Sequence, residues 1–280
     1  MKEPCYDARL FYFREITLSF TYNFSLQNVY NAYDKLLDYE YIYLLSTSNI
    51  DSPLEVHVQF LVENFYHLGG FHYMDDVTTI SSFKRKPKRE FFIAVRDGAI
   101  TTRDILNSSK YDLDAQKRFY CLENLEKFLD TEQKFYDFDG KIPLIDLNGN
   151  KRLFESLVDA DFIMKNDDAD INFIFTFLTK TTANEISYCY PKSIFSPDFD
   201  YSYGQTRRYI LAKYKRNKKT GVVETKYLYP VYLKRNPQLV QKEFDYILTD
   251  KKCCEIGRKL YEEKKINLNK EQIEKINSVD

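Results

Sequence analysis

Between residues 26 and 62 the apolar residues change their period, and no other feature narrows the possible folds as much. Ser25 can accept from the first free amides of a helix, and Leu26, Val29, Tyr30, Tyr33, Leu36 and Leu37 follow it at the three-and-four spacing of one buried face. The spacing predicts a helix over 26–38. Next come a β-prone run, Tyr41-Ile42-Tyr43-Leu44-Leu45, and turn residues over 46–53. Beyond the turn Leu54, Val56, Val58, Phe60 and Val62 alternate with Glu55, His57, Gln59 and Glu63. A period of two places the first set on the core and the second on the opposite face. An antiparallel strand pair is therefore expected, with His57 turned outward and solvated.

The later chain extends this order. After the Asp97-Gly98 turn, Thr101-Thr102-Arg103-Asp104 reads as a short helix start, and Asp112 can cap a helix over 113–130 with Leu113, Tyr120, Leu122, Leu125, Phe128 and Leu129 as its core stripe. From 134 onward the runs are short and β-like: 134–138, 144–147, 160–165, 171–179 and 185–190, with Asp139-Gly140 and Asn148-Gly149 as turns. A hairpin is expected from 208–214 and 222–232. Asn236-Pro237 then starts a last helix, striped by Val240, Phe244, Ile247, Leu248, Ile256 and Leu260. Helices first and strands later describe an α+β fold, an antiparallel meander with N-terminal and inserted helices. One domain over 1–235 and a C-terminal helical appendage over 236–280 are expected.

Composition removes several classes. No run approaches the roughly 18 apolar residues of a membrane span, and Met1 to Arg9 lack a signal-type apolar segment, so a cytoplasmic protein with no membrane partner is expected. Five scattered cysteines without CxxC spacing read as reduced thiols. The phosphate-loop, dinucleotide and zinc-protease motifs are missing, and Asp159, Asp161, Asp167, Asp168 and Asp170 read as a solvated loop, so no cofactor and no metal are expected. A net charge of −1 argues against a protein that coats nucleic acid. Its distribution is less neutral, because Lys84, Arg85, Lys86, Lys88 and Arg89 fall within six residues and Arg207, Arg208, Lys213, Lys215, Arg216, Lys218 and Lys219 within thirteen. Such runs either track an RNA backbone or stay solvated.

Chemistry concentrates in Glu-Asn-Phe-Tyr-His-Leu-Gly-Gly-Phe-His, residues 63–72, which hold two of only three histidines beside a glycine pair. Histidine changes charge near neutral pH and serves as acid or base. His67 is the leading candidate; His72 is either its partner or a surface histidine. A second segment, Tyr190-Pro191-Lys192-Ser193-Ile194-Phe195, lies among Tyr188, Phe199, Tyr201 and Tyr203, rings that either stack bases or fill core.

In this order of elements, the segments Phe65-Tyr66-His67-Leu68-Gly69 and Tyr190 to Phe195 resemble a phage-type nuclease-like family with the barnase, EndoU, colicin and RelE fold, its fourth phage group. The family's motifs read approximately Asn-Phe-Pro-His-Leu-Leu-Gly-Leu-His and Pro-x-Ser-Phe-Phe, and the match covers about residues 25–215. The motif histidine falls on His67, its glycine on Gly69, and the later Pro and Ser on Pro191 and Ser193; Tyr66 stands in place of Pro and Ile194 in place of Phe. The resemblance implies a small α+β domain, of phage or mobile-element origin and toxin-like, that cuts RNA without a metal.

Metal-free cleavage uses the ribose 2′-OH as nucleophile, so one group must take its proton, another must protonate the leaving oxygen, and donors must neutralise the phosphate. His67 is assigned the first or second task. Lys192, Ser193, Arg207 or Arg208 would hold phosphate, and Tyr190 or Tyr203 would stack a base or donate a proton. RNA would lie along Lys84 to Arg89 and Arg207 to Lys219. The alternative is a noncatalytic RNA- or protein-binding protein retaining the fold, engaging a host protein or an inhibitor; a third reading gives helix 237–263 a role in dimerisation.

Overall fold

The computed structural model describes residues 22–48, 52–131, 133–146, 151–152, 156, 158–183, 186–197 and 199–279. Helix α1, Leu26–Leu36, begins where Ser25 accepts from the Asn28 amide and buries Leu26, Val29, Tyr30, Tyr33 and Leu36. Strands β1, Tyr39–Leu45, and β2, Leu54–Gln59, pair antiparallel, as the alternation requires. Six helices follow among the described residues before the next strand, the first five being α2, Asn64–Leu68; α3, Thr78–Ser81; α4, Lys88–Arg96; α5, Thr102–Leu106, closed by a Thr101/Asp104 capping box; and α6, Leu113–Glu123, capped by Asp112. A 3-10 turn, Phe71–Tyr73, lies between α2 and α3.

The helix expected over 113–130 is in fact two. Asn124 leaves the helical region at φ −99°, ψ 7°, its side chain donates to the Tyr120 carbonyl, and α7 starts anew at Leu125–Asp130. Leu113, placed in the core stripe, is 50 % exposed in the first turn of α6.

Strands β3, Lys134–Asp137; β4, Leu144–Asp146; β5, Lys151–Arg152; β6, Phe162–Asp168; β7, Asn172–Ala183; β8, Ile186–Phe195; β9, Phe199–Asp200; β10, Arg207–Arg208; β11, Ile210–Asn217; and β12, Val223–Leu228 complete the β-structure. The Asn148-Gly149 turn lies outside the described residues. Among the described residues the main sheet runs β10-β3-β6-β7-β8-β2-β1-β11-β12, with β5-β4-β9 as a small second sheet. It is not a pure meander, because β2 and β8 pair parallel, His57 opposite Tyr188. The sheet curls: β10 pairs β3, the adjoining β11 pairs β1, and Tyr209 between them accepts from the Ser46 amide.

The 222–232 run is strand only to Leu228, and Pro230 at a first helical position opens α8, Pro230–Arg235. The single helix expected from 236 is also broken, into α9, Leu239–Lys242; α10, Phe244–Ile247; α11, Lys251–Glu262; and α12, Lys270–Asn277. No described helix is long and apolar enough to cross a membrane, and Cys121, Cys189, Cys253 and Cys254 are buried free thiols.

Three clusters hold these layers. The largest joins α1, α2, α4 and α6 to one sheet face through Val29, Tyr33, Phe65, Phe91, Phe119 and Val58. Leu211, Ala212, Tyr214 and Leu228 meet Leu233, Val240, Ile247, Cys253 and Leu260 in the second, and Phe138, Ile163, Phe175 and Phe177 form the third. Each fully buried apolar side chain contributes about 1.5–3 kcal/mol. Three buried hydroxyls are matched: Tyr33 donates to the Leu61 carbonyl at 2.8 Å, Tyr41 to Asp130 at 2.7 Å and Tyr43 to Gln133 at 2.7 Å.

Two expectations about charge change here. His57 does face away from Val56 and Val58, yet it is only 4 % exposed. Its Nδ1 lies 2.9 Å from Glu40 Oε1 and its Nε2 2.6 Å from Glu55 Oε1, and Arg216 pairs with the other Glu40 oxygen. The Glu40 hydrogen bond, opposed by burial, raises the His57 pKa. Much of the second basic run is turned inward as well. Lys213 donates to the Leu129 and Thr131 carbonyls at 2.7 and 2.6 Å, satisfying the C-terminus of α7, and Lys215 reaches Glu126 and Asp130.

Candidate active site

Helix α2 exists because three of its five residues are buried: Phe65 packs 5.3 Å from the Tyr33 ring and 5.2 Å from Phe92, and Tyr66 and Leu68 join the same core. His67 is left pointing out. Gly69 closes the helix by donating to the Phe65 carbonyl at 3.0 Å, and a Cβ there would sit 2.2 Å from the Phe71 ring. Gly70 turns the chain through φ 69°, a left-handed conformation that favours glycine. The residue demanding glycine by conformation is thus Gly70, next to the assigned Gly69. The turn folds His72 back against His67, ring centroids 5.2 Å apart.

Three further elements aim cations at this pair. Pro87 is extended and ends the turn before α4, so the basic run is loop only up to Pro87. Lys88 then donates to the Phe83 and Lys84 carbonyls at 2.9 Å and sits 4.3 Å above the Tyr66 ring. In β8 the pairing shifts between Phe177 opposite Ser193 and Leu178 opposite Pro191, leaving Lys192 as the bulged, exposed residue. A bulge re-aims a side chain, and Pro191 has no amide to lose from the ladder. From α6, Arg118 places its guanidinium 5.6 Å from the centre of the Phe195 ring.

The electrostatics follow from that crowding. Partial burial, then Lys88 and Lys192, lower the His67 pKa. Burial first, then His67, Arg118, Lys84 and Lys88, pull His72 down to about 4. Both shifts favour the neutral imidazole. The His72 Nδ1 and the Tyr66 hydroxyl are buried with no hydrogen-bond partner among the described residues.

His67, His72, Lys88 and Lys192 thus come together from four separate elements, while Ser193, next in β8, is half-buried opposite Phe177. Lys84 is tied to Asp75 at 3.1 Å and Lys86 lies over Phe83, while Arg85 and Arg89 are exposed. Tyr190 is half-buried opposite Thr179. Arg208 grips Asp137 and the Ser46 carbonyl, and Arg207 lies over Tyr209; both line a separate cavity of about 200 Å³ with Gln133 and Lys213. Arg118 escaped the sequence reading, although a signal was present: it falls on the apolar face of its helix, four residues before Leu122 and seven before Leu125.

The model of the family described as phage-Barnase-EndoU-ColicinE5/D-RelE like nuclease 4 matches residues 25–229, from the cap of α1 to the residue before α8. No curated protein and no solved structure matches the chain.

Proposed function

Because the chain belongs to this phage nuclease-like family, we propose that it is a metal-independent endoribonuclease of phage or mobile-element origin, with His67 as general base and His72 as general acid. In the proposed reaction His67 takes the 2′-OH proton, the 2′ oxygen attacks phosphorus, the bond to the 5′ oxygen breaks, and His72 protonates that leaving oxygen. The products are a 2′,3′-cyclic phosphate and a free 5′-OH. Lys192 and Lys88 offset charge on the phosphate, while Ser193 can donate to it.

The observation carrying this reading is the pair of imidazoles with ring centroids 5.2 Å apart, beside cations from different elements whose charge, after burial, favours the neutral rings. Such a cluster repels a divalent cation and attracts a phosphate diester. An arriving phosphate anion favours the protonated form of His72, converting it from a neutral ring into an acid. The domain so engaged would be residues 1–235, with 236–280 as an added helical layer and the cytoplasm as its place of action. Lys84 to Arg89 and Arg207 would meet RNA further along the strand, with Tyr190 stacking a base.

The test is incubation of purified protein with transfer or ribosomal RNA in EDTA, beside His67→Ala. Loss of cleavage by about 10²–10⁴-fold in the variant is expected. Equal cleavage by both proteins, or none by either, overturns the mechanism, and binding without cleavage by the wild type leaves a noncatalytic RNA-binding protein.

A further inference from the structure

The half-buried guanidinium of Arg118 has the Phe195 ring as a neighbour but no hydrogen-bonded acceptor among the described residues. Among the described residues it makes no ion pair, and its own electrostatic neighbours, Tyr73, Asp114 and Asp112, do not offset the burial that depresses its pKa. Gly70 is what lets it approach, since a Cβ there would lie 3.1 Å from Arg118 Cδ and 3.3 Å from Nε. A desolvated cation without a counterion is costly unless a ligand supplies the charge. His72 lines the same cleft, and its Nδ1 is buried with no hydrogen-bond partner among the described residues. Both residues line a cavity of about 760 Å³, walled also by Gly70, Tyr73, Lys84 and Lys110, with the carboxylates Asp75, Asp112 and Asp114 on its wall, Asp75 tied to Lys84 at 3.1 Å. That is the size of a small-molecule site rather than of a packing defect. At its rim Tyr73 is 59 % exposed, with its ring held 3.9 Å from the His72 ring. An exposed aromatic fixed beside an anion-seeking pair is a platform for a base.

We propose that this cleft is a nucleotide subsite, in which Arg118 grips a phosphate beside His72 and Tyr73 stacks the attached base. The subsite rests on the nuclease reading for its role in cleavage but not for its ligand. Arg118 presents a planar fork suited to two phosphate oxygens, which Lys cannot reproduce. Phosphate alone fills the inner end of the cleft, and a nucleotide reaches the rim.

The experiment is calorimetric titration of the full chain with inorganic phosphate and with adenosine 3′-monophosphate, with the His72 imidazole followed by NMR. Wild type should bind the nucleotide more tightly than phosphate, and either ligand should move the His72 signal toward the protonated form. Arg118→Lys, which keeps charge and most of the packing, should weaken both ligands about tenfold or more. Tyr73→Ala, at an exposed position, should weaken the nucleotide alone. No binding of either probe, Arg118→Lys binding like wild type, or Tyr73→Ala binding nucleotide undiminished overturns the subsite. Nucleotide binding by a protein that cuts no RNA retains it while removing the proposed mechanism, and cleavage unaltered by Arg118→Lys does the reverse.

Discussion

Two histidine environments in one molecule have opposite character. His57 sits on β2 between Glu40 and Glu55 with Arg216 behind, and its neighbours favour the imidazolium. His67 and His72 sit among Lys88, Lys192, Arg118 and Lys84, and their neighbours favour the neutral ring. The first cluster is matched internally and asks nothing of a ligand. Among the described residues the second leaves a ring nitrogen without a hydrogen-bond partner and a guanidinium that no carboxylate pairs with directly, Asp112 and Asp114 acting on it only at longer range. The difference separates a histidine that holds strands together from two that are kept ready for an anion.

The sharpest way to break that contrast is to delete one histidine from each environment. His67→Ala should lower RNA cleavage by about 10²–10⁴-fold with the unfolding midpoint kept. His57→Ala should lower the midpoint in urea while cleavage per folded molecule stays near wild type. Cleavage lost equally in both would show that the two environments are not distinct in role.

Next in size is Glu40→Ala, which leaves His57 and Arg216 without their shared carboxylate. Removing one partner from a buried pair costs about 3–5 kcal/mol, read from denaturant unfolding, and a cost below about 1 kcal/mol would mean that solvent reaches the network. Gly70→Ala should cost about 1–2 kcal/mol from the left-handed backbone alone. It also crowds Arg118, so phosphate affinity should fall along with the melting temperature.

The smallest effect is the pH dependence. His57 has a folded pKa above its ordinary 6.5, so its contribution is complete below 6.5 and is lost as pH rises through the raised value. Glu40 is held below its ordinary 4.5 by His57 and Gln59 against the cost of burial, so its contribution is present above 4.5 and lost as pH falls through the lowered value. For His72 the sign reverses: the unfolded chain binds a proton near 6.5 and the folded one only near 4, so this group destabilises the fold increasingly as pH falls through that window. Unfolding of His57→Gln and His72→Gln at pH 5.5 and 8.5 checks this. The first should lose more stability at pH 5.5 and the second should gain there.

What the sequence revealed follows the range of the forces involved. Helix α1 was legible because its cap and apolar face are local, and β1 and β2 because alternation is local too. The same alternation gave the side on which His57 lies but not what covers that side. Its neighbour opposite, Ile42, packs into the cluster built with the C-terminal helices, and its carboxylate partner arrives from β1 through strand register. Helix α2 has five residues and so no period to detect. The burial of Lys213 and Lys215 was hidden because their partners on α7 lie more than eighty residues earlier. For the site, scarcity singled out His67 and His72, while Lys88 and Arg118 depend on helix packing that no motif encodes.

One consequence concerns the order in which the chain is made. β1 takes β2 as a neighbour almost at once, but its other edge waits for β11, with Tyr39 opposite Asn217. Every side chain of the proposed reaction centre lies before Phe195, so a chain halted at that point already carries all of its chemistry without the strand that completes the sheet. Closing so long a loop is entropically slow. Active protein should therefore appear only after residues 210–217 have left the ribosome, and truncation ahead of them should silence the site without touching it.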